Sequence, residues 1–261
     1  MEGNELVSLL SDTRSGCYRW PYMAGEVDVE PRFSDYEFTY QLYTGTVDNK
    51  TNSLDLKVVK WNGEIETLLS KRRANTGLET KKLSRLLQEK GLTLSDIAYI
   101  RIDAMNESDA GRGSFCRTAL KGCPVIWVGD DSGTVAEAVA IPGKSVTASG
   151  TAGVARTVEL DIDDSYTDYY IKSTTVRAQR DGSYHRVSST IDAHMMDGAT
   201  VQLFTLSDTD MLITHHLDVL AKMKGINIED ISYLILTSYC DTDYGAGAYS
   251  TTTAYGVPNN T

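Results

Sequence analysis

One stretch of this chain occurs twice. LSRLLQEKGLTLSDIAYIRI, from Leu83 to Ile102, and LDVLAKMKGINIEDISYLIL, from Leu217 to Leu236, share Leu83/Leu217, Leu86/Leu220, Lys90/Lys224, Gly91/Gly225, Asp96/Asp230, Ile97/Ile231 and Tyr99/Tyr233. Four more positions exchange one aliphatic residue for another. The same spacing continues without a gap, so that Asp109, Gly111 and Gly113 meet Asp243, Gly245 and Gly247, and Gly122-Cys123-Pro124 meets Gly256-Val257-Pro258. Upstream, EVDVEPRFSDYEF (26–38) meets ELDIDDSYTDYYI (159–171), and Asn62-Gly63 faces Asp197-Gly198. Matched blocks in one order along both halves predict an internal duplication. The expected organisation is an N-terminal arm (1–25), a first repeat domain (26–128), a linker or arm (129–158) and a second repeat domain (159–261). A chain of 261 residues suits two domains of ordinary size.

Each copy reads in the same way. Two early strands (26–30 and 35–44; 159–163 and 168–178) precede a hairpin at Asn62-Gly63 or Asp197-Gly198, dipeptides that suit a two-residue turn needing positive φ. A helix is expected over about 78–90 and 211–224, with Leu83, Leu86 and Leu87, or Leu217 and Leu220, at helical spacing. Gly91 and Gly225 sit where a helix ends on a left-handed residue. An aliphatic strand follows, Ile97–Ile102 or Ile231–Leu236, in which alternation should turn Ile100 away from Ile97. Tyr99 and Tyr233 should occupy matching sites. With 15 Tyr, 4 Phe and 5 Pro, the composition favours pleated strands. The predicted fold is therefore α+β and β-rich: two tandem homologous domains, each a β-sandwich-like arrangement of sheets with one helix. A last strand at Val125–Val128 and a small-residue connecting arm have no counterpart after Pro258. The sheet of the second copy is thus expected to be completed by the N-terminal arm or by a neighbouring molecule, and both arms to make contacts outside their own domain.

Charge and cysteine content narrow the function. The net charge of −11 opposes nucleic-acid contact. No apolar run reaches membrane-spanning length and no export signal is evident, so neither membrane association nor Sec export is expected. Cys17, Cys116, Cys123 and Cys240 form no CxxC pair. They read as idle thiols, although Cys116 and Cys123 could meet across two strands.

Several segments approach known signatures. KGINIEDISYLILTSYCDTDYGAG (224–247) resembles the first metal-binding stretch of the metallo-β-lactamase family, with Thr237 and Gly245 in place. The ligand positions of that stretch hold Ser238, Cys240, Thr242 and Asp243 in the second copy, and Ala104, Asn106, Ser108 and Asp109 in the first. With no histidine there, the resemblance implies at most an enzyme-derived domain without its metal. LSRLLQEKGLTLSDIA (83–98) opens like a helix-turn-helix, but a strand-like YIRIDAM stands where a recognition helix belongs. DIDDSYTD (161–168) spaces Asp161, Asp163 and Ser165 like a calcium loop, yet Tyr166 replaces the glycine such a loop needs. His215-His216, inside the predicted helix, would point about 100° apart and could not share a metal. The glycine-bearing loops around Asp109, Gly111 and Gly113, and around Asp243, Gly245 and Gly247, are the duplicated features best suited to be interaction loops. No catalytic, cofactor or metal residue is assigned, and no cofactor is expected.

A tandem repeat gives one chain two similar faces, which lets a ring or shell keep pseudo-symmetry with fewer subunits. The expectation is a non-enzymatic structural assembly protein, a virion component of tail-tube, capsid or decoration type. It would be made in the host cytoplasm and self-associate into a ring, tube or shell with other virion proteins. The alternatives are the metal-less enzyme-derived domain and a tandem carbohydrate-binding or adhesive module using exposed tyrosines.

Overall fold

A computed structural model describes residues 5–12, 22–44, 51–72, 75–107, 115–124, 138–149, 153–177, 179–180, 183–184, 186–207, 210–241 and 248–259. Among the described residues the chain is β-rich, with two α-helices and several sheets. It divides into two compact units, Met1–Asp130 and Asp131–Thr261.

The N-terminal unit contains β1 (Glu5–Asp12), β2 (Tyr22–Asp28), β3 (Phe33–Tyr43), β4 (Thr51–Lys60), β5 (Ile65–Arg72), β6 (Glu79–Lys82), helix α1 (Leu83–Glu89), a 3-10 turn (Leu94–Asp96), β7 (Ile97–Glu107) and β8 (Phe115–Pro124). All pairings are antiparallel. One sheet runs β1-β8-β3-β6 and the other β2-β7-β4-β5. Alternation along the strands builds the core. Tyr36, Phe38, Tyr40 and Leu42 of β3 face Leu54, Leu56 and Val58 of β4 and Ile100 and Ile102 of β7 in one buried cluster. Helix α1 adds Leu83, Leu86 and Leu87 to it.

The C-terminal unit contains β9 (Val139–Ser149), β10 (Arg156–Asp161), β11 (Tyr166–Val176), a two-stranded ribbon of β12 (Gln179–Arg180) and β13 (Ser183–Tyr184), β14 (Val187–Met195), β15 (Thr200–Ser207), β16 (Met211–His216), helix α2 (Leu217–Lys224), a 3-10 turn (Ile228–Asp230), β17 (Ile231–Cys240) and β18 (Tyr249–Pro258). Its pairings give β9-β18-β11-β16 and β10-β17-β14-β15, the same strand orders as in the N-terminal unit. Ile171, Ile191, Leu217, Leu234 and Leu236 form its core. Beside them lies a buried hydroxyl cluster. Ser189 Oγ stands 2.9 Å from Ser173 Oγ and 2.6 Å from Thr252 Oγ1, and Ser238 Oγ stands 3.2 Å from Thr252 Oγ1. The mutual bonds satisfy groups that would otherwise be costly to bury.

Two local devices recur. In the N-terminal unit the Tyr36 hydroxyl accepts the Glu30 backbone N–H at 2.6 Å and clamps the turn before β3. In the C-terminal unit the Tyr169 hydroxyl accepts the Asp163 N–H at 3.0 Å and donates to the Asp163 carbonyl at 2.8 Å. Each tyrosine meets a ring three residues back edge-on, Phe33 at 5.6 Å and Tyr166 at 5.8 Å. Those rings lie over Gly122 of β8 and Gly256 of β18, so closely that an added Cβ would stand 2.4 and 2.3 Å from ring carbons.

The structure corrects several sequence expectations. The helices begin at Leu83 and Leu217 rather than near 78 and 211, because Glu79–Lys82 and Met211–His216 extend as strands along β3 and β11. The hairpin loops carry three residues rather than two. Lys60 N–H donates to the Glu64 carbonyl, Gly63 N–H donates to the Lys60 carbonyl, and Gly63 has a positive φ, +84°; Gly198, at +90°, repeats this. Ile97 and Ile100 both enter the core, since a register shift between Val59 and Lys60 re-aims Ile97. Tyr99 and Tyr233 are both half-buried. Residues 139–149, read as part of a connecting arm, form β9 against β18 of the C-terminal unit, and residues 5–12 form β1 against β8 of the N-terminal unit. Each unit therefore uses a segment of its own to complete that sheet. Val125–Val128 lies outside the described residues.

Candidate functional site

The interaction loops expected from sequence, with Asp109, Gly111, Gly113, Asp243, Gly245 and Gly247, lie outside the described residues. They connect β7 to β8 and β17 to β18.

The outer face of the N-terminal sheet β2-β7-β4-β5 carries a chain of alternating charge. Arg72 of β5 donates to both carboxylate oxygens of Asp55 on β4, at 2.9 and 2.8 Å. Lys57 lies 3.7 Å from Asp55 and 2.6 Å from Asp103 of β7. Arg101 Nε donates to Asp103 Oδ1 at 2.9 Å, and Arg101 Nη1 donates to Glu26 Oε1 of β2 at 3.1 Å. These residues alternate along their strands with Leu54, Leu56, Val58, Ile100 and Ile102, which is why they share the outer face. Burial deepens along the chain, from an Arg72 side chain 55% exposed to a Glu26 side chain 2% exposed. Burial works against ionisation of Asp55, but hydrogen bonds from Arg72 and Ser70 and the charges of Arg72 and Lys57 together outweigh it and hold that carboxyl below its ordinary value. The arrangement orders four strands through matched charges.

The outer face of the C-terminal sheet β9-β18-β11-β16 differs in kind. It presents Ser145, Thr147, Thr251 and Thr253 in cross-strand pairs, with hydroxyl separations of 2.8 Å for Ser145–Thr253 and 3.0 Å for Thr147–Thr251. Nearby, Tyr170 and Tyr255 are register partners. With Ala138, Lys172 and Thr214 they line a shallow depression of about 240 Å³. The Tyr170 hydroxyl donates to Asp168 at 3.2 Å, and its ring lies 4.0 Å from that of His216. Burial alone would raise the Asp168 carboxyl, but the His216 ring beside it holds it low. Two half-buried tyrosines beside an exposed lysine of β11 can stack on a flat ligand and accept or donate hydrogen bonds.

His215 and His216 lie on strand β16 rather than on a helix, so they point to opposite faces. His215 is fully buried, edge-on to Phe204 at 5.2 Å. His194 stacks on Tyr233, with ring centroids 4.5 Å apart. At the positions that resemble metallo-β-lactamase ligands, Ser238, Cys240 and Ala104 are fully buried. Ser238 belongs to the hydroxyl cluster, and alternation explains the burial: every second residue of β7 and β17 points into the core. Where sequence allowed a helix-turn-helix, a 3-10 turn leads into β7. In the calcium-like segment the Asp163 carboxylate accepts the Ser165 N–H at 2.8 Å, a local turn.

Cys116 and Cys123 stand on one strand, β8, so they cannot meet across two. Burial pushes the Cys116 thiol up to about 12 and also raises Cys123. Cys116 and Cys240 are fully buried, whereas Cys123 is partly exposed. In a Cys17→Ser variant, native protein at pH 8 should therefore release one thiol equivalent to Ellman's reagent, from Cys123, with Cys116 and Cys240 reacting only after unfolding. Rapid native labelling of three thiols would contradict this burial.

No family model matches the sequence, and no curated protein matches it. Among solved structures, the chain is similar to the PBSX exported protein XepA, with 10% identity over 97% of this chain and 86% of that chain and a TM-score of 0.30. It is also similar to a putative secreted protein from Parabacteroides distasonis (9% identity, 97% and 89% coverage, TM-score 0.22). A third similarity is to the infectious bursal disease virus VP2 subviral particle (14% identity, 87% and 56% coverage, TM-score 0.26). All three scores fall below the level at which two chains share a fold.

Proposed function

We propose that this chain is a non-enzymatic assembly protein that arose by tandem duplication and self-associates into a ring, tube or shell as a component of a virion. One observation supports the reading above others: both units have the same two strand orders, the same tyrosine-to-turn clamp and the same ring over glycine. A chain carrying two like units can present two quasi-equivalent surfaces, which is what a pseudo-symmetric assembly needs. Because β1 and β9 are used within their own units, association runs through faces and loops of folded units rather than through exchanged arms. The loops bearing Asp109, Gly111 and Gly113, and Asp243, Gly245 and Gly247, are the proposed contact loops. The test is negative-stain microscopy with a light-scattering mass over a range of concentrations. Rings, tubes or closed shells are expected. A 28.7 kDa particle at every concentration would overturn the reading.

The depression at Tyr170, Lys172 and Tyr255 favours one second reading, a carbohydrate-binding or adhesive module. Glycan-array binding lost in Tyr255→Ala, by a chain that stays monomeric, would select it.

A further inference from the structure

The N-terminal unit has a cavity of about 300 Å³ where β5, β6 and α1 meet. Its lining is unusual for a chain of net charge −11. Four cations, Lys71, Lys81, Lys82 and Arg85, border it, against a single lining anion, Glu89. Lys81 and Lys82 are partly balanced, lying 3.6 Å from Glu79 and 3.7 Å from Glu37. Lys71 and Arg85 have no ion pair among the described residues. Leu68, Leu69 and Leu86 supply an apolar wall, and the buried Tyr40 closes the floor with its hydroxyl donated to Glu79 at 2.6 Å. That bond, with Lys71 and Lys81 nearby, keeps the Glu79 carboxyl below its ordinary value.

The C-terminal unit shows that the strand orders do not require these cations. The two residues before its helix are His215 and His216 instead of Lys81 and Lys82. Its third helical residue is Val219 instead of Arg85. Two cations without an ion pair beside one hollow favour an opposite charge there. A concave site of this size with apolar walls and a few convergent polar groups matches a small-molecule pocket.

We propose that this cavity binds a small organic anion, a carboxylate or phosphate monoester carrying an apolar group. Arg85 and Lys71 hold the anionic head, the guanidinium in forked hydrogen bonds, and Leu68, Leu69 and Leu86 cover the apolar part. The proposal is independent of assembly and holds for a monomer or a shell.

Calorimetric titration of the full chain at low salt tests it, with phenyl phosphate, benzoate, inorganic phosphate and benzyl alcohol as probes. Saturable binding at one site per chain is expected for at least one organic anion, and which one binds names the head group. Inorganic phosphate should bind more weakly, benzyl alcohol not at all, and affinity should fall as salt rises. Arg85→Glu should weaken binding by about tenfold or more, and Arg85→Gln should do so in part. Glu89→Gln should tighten binding, a gain that misfolding cannot imitate. Absence of saturable binding by both organic anions, or binding unchanged in Arg85→Glu and Glu89→Gln, would overturn the proposal.

Discussion

Replacing Arg101 by alanine should destabilise the N-terminal unit by about 3 kcal/mol, because it strips a shared cation from two carboxylates in nearly dry positions. Arg101 bonds Asp103 and Glu26, whose side chains are 6% and 2% exposed. Without it, each keeps its charge with fewer bonds, or takes up a proton. Arg72→Ala, at the open end of the same chain of charges, should cost less than about 1 kcal/mol, since its side chain is 55% exposed and solvent replaces most of what is lost. Tryptophan fluorescence separates the two units, as Trp20, Trp61 and Trp127 all fall within residues 1–130. Urea titration followed at the tryptophan band should show a large fall in midpoint for Arg101→Ala and a small one for Arg72→Ala. Equal effects would mean that the gradient of burial does not govern the energetics of this face.

The second large effect is expected at Gly122. A methyl group there would stand 2.4 Å from Cδ1 and Cε1 of Phe33, well inside contact distance, and the ring is held in turn against Tyr36. Gly122→Ala should therefore cost about 2 kcal/mol or more through overpacking. Phe33→Ala should cost about 3 kcal/mol through lost burial. Combined, the two should cost less than their sum by about 1 kcal/mol or more, because the clash needs both partners. Strict additivity in urea unfolding would show that ring and glycine do not touch. Gly256 and Tyr166 offer the same test in the C-terminal unit, where the approach is 2.3 Å.

The sequence made one layer of this structure legible. Turn and cap glycines declare themselves because a left-handed residue has few alternatives, and Gly63, Gly91, Gly198 and Gly225 all have positive φ. The strand after each helix was legible as an aliphatic run. Pairing between distant segments was not, since nothing in ETKK or MLITHH names its partner strand, and a short alternating stretch beside a helix extends the helical pattern by accident. Residues 139–149 were missed for a related reason: Gly, Ser and Thr dilute the core anchors Ile141 and Val146, and nothing in the stretch names β18 as its partner. The basic cavity was scattered over Lys71, Lys81, Lys82 and Arg85, charges that read as solvated surface until the strands bring them to one hollow. A signal existed in the absence of counterparts to Lys81, Lys82 and Arg85 from the matching stretch at 215–219. The ring-over-glycine contact was present in the aligned blocks, where Phe33 matched Tyr166 and Gly122 matched Gly256, but only the register of β3 with β8 joins them.

The sheet order of the N-terminal unit also sets a clock. Tyr43 at the end of β3 pairs with Phe115 at the start of β8, so several seconds of translation at about 5–20 residues per second separate one strand from its partner. The β4-β5 hairpin can close within microseconds of leaving the ribosome. Meanwhile β3 has only the four-residue β6 as a ladder partner. The vulnerable period of a nascent chain is thus fixed by the distance along the polypeptide between two strands, and slower elongation would lengthen it without changing the stability of the finished unit.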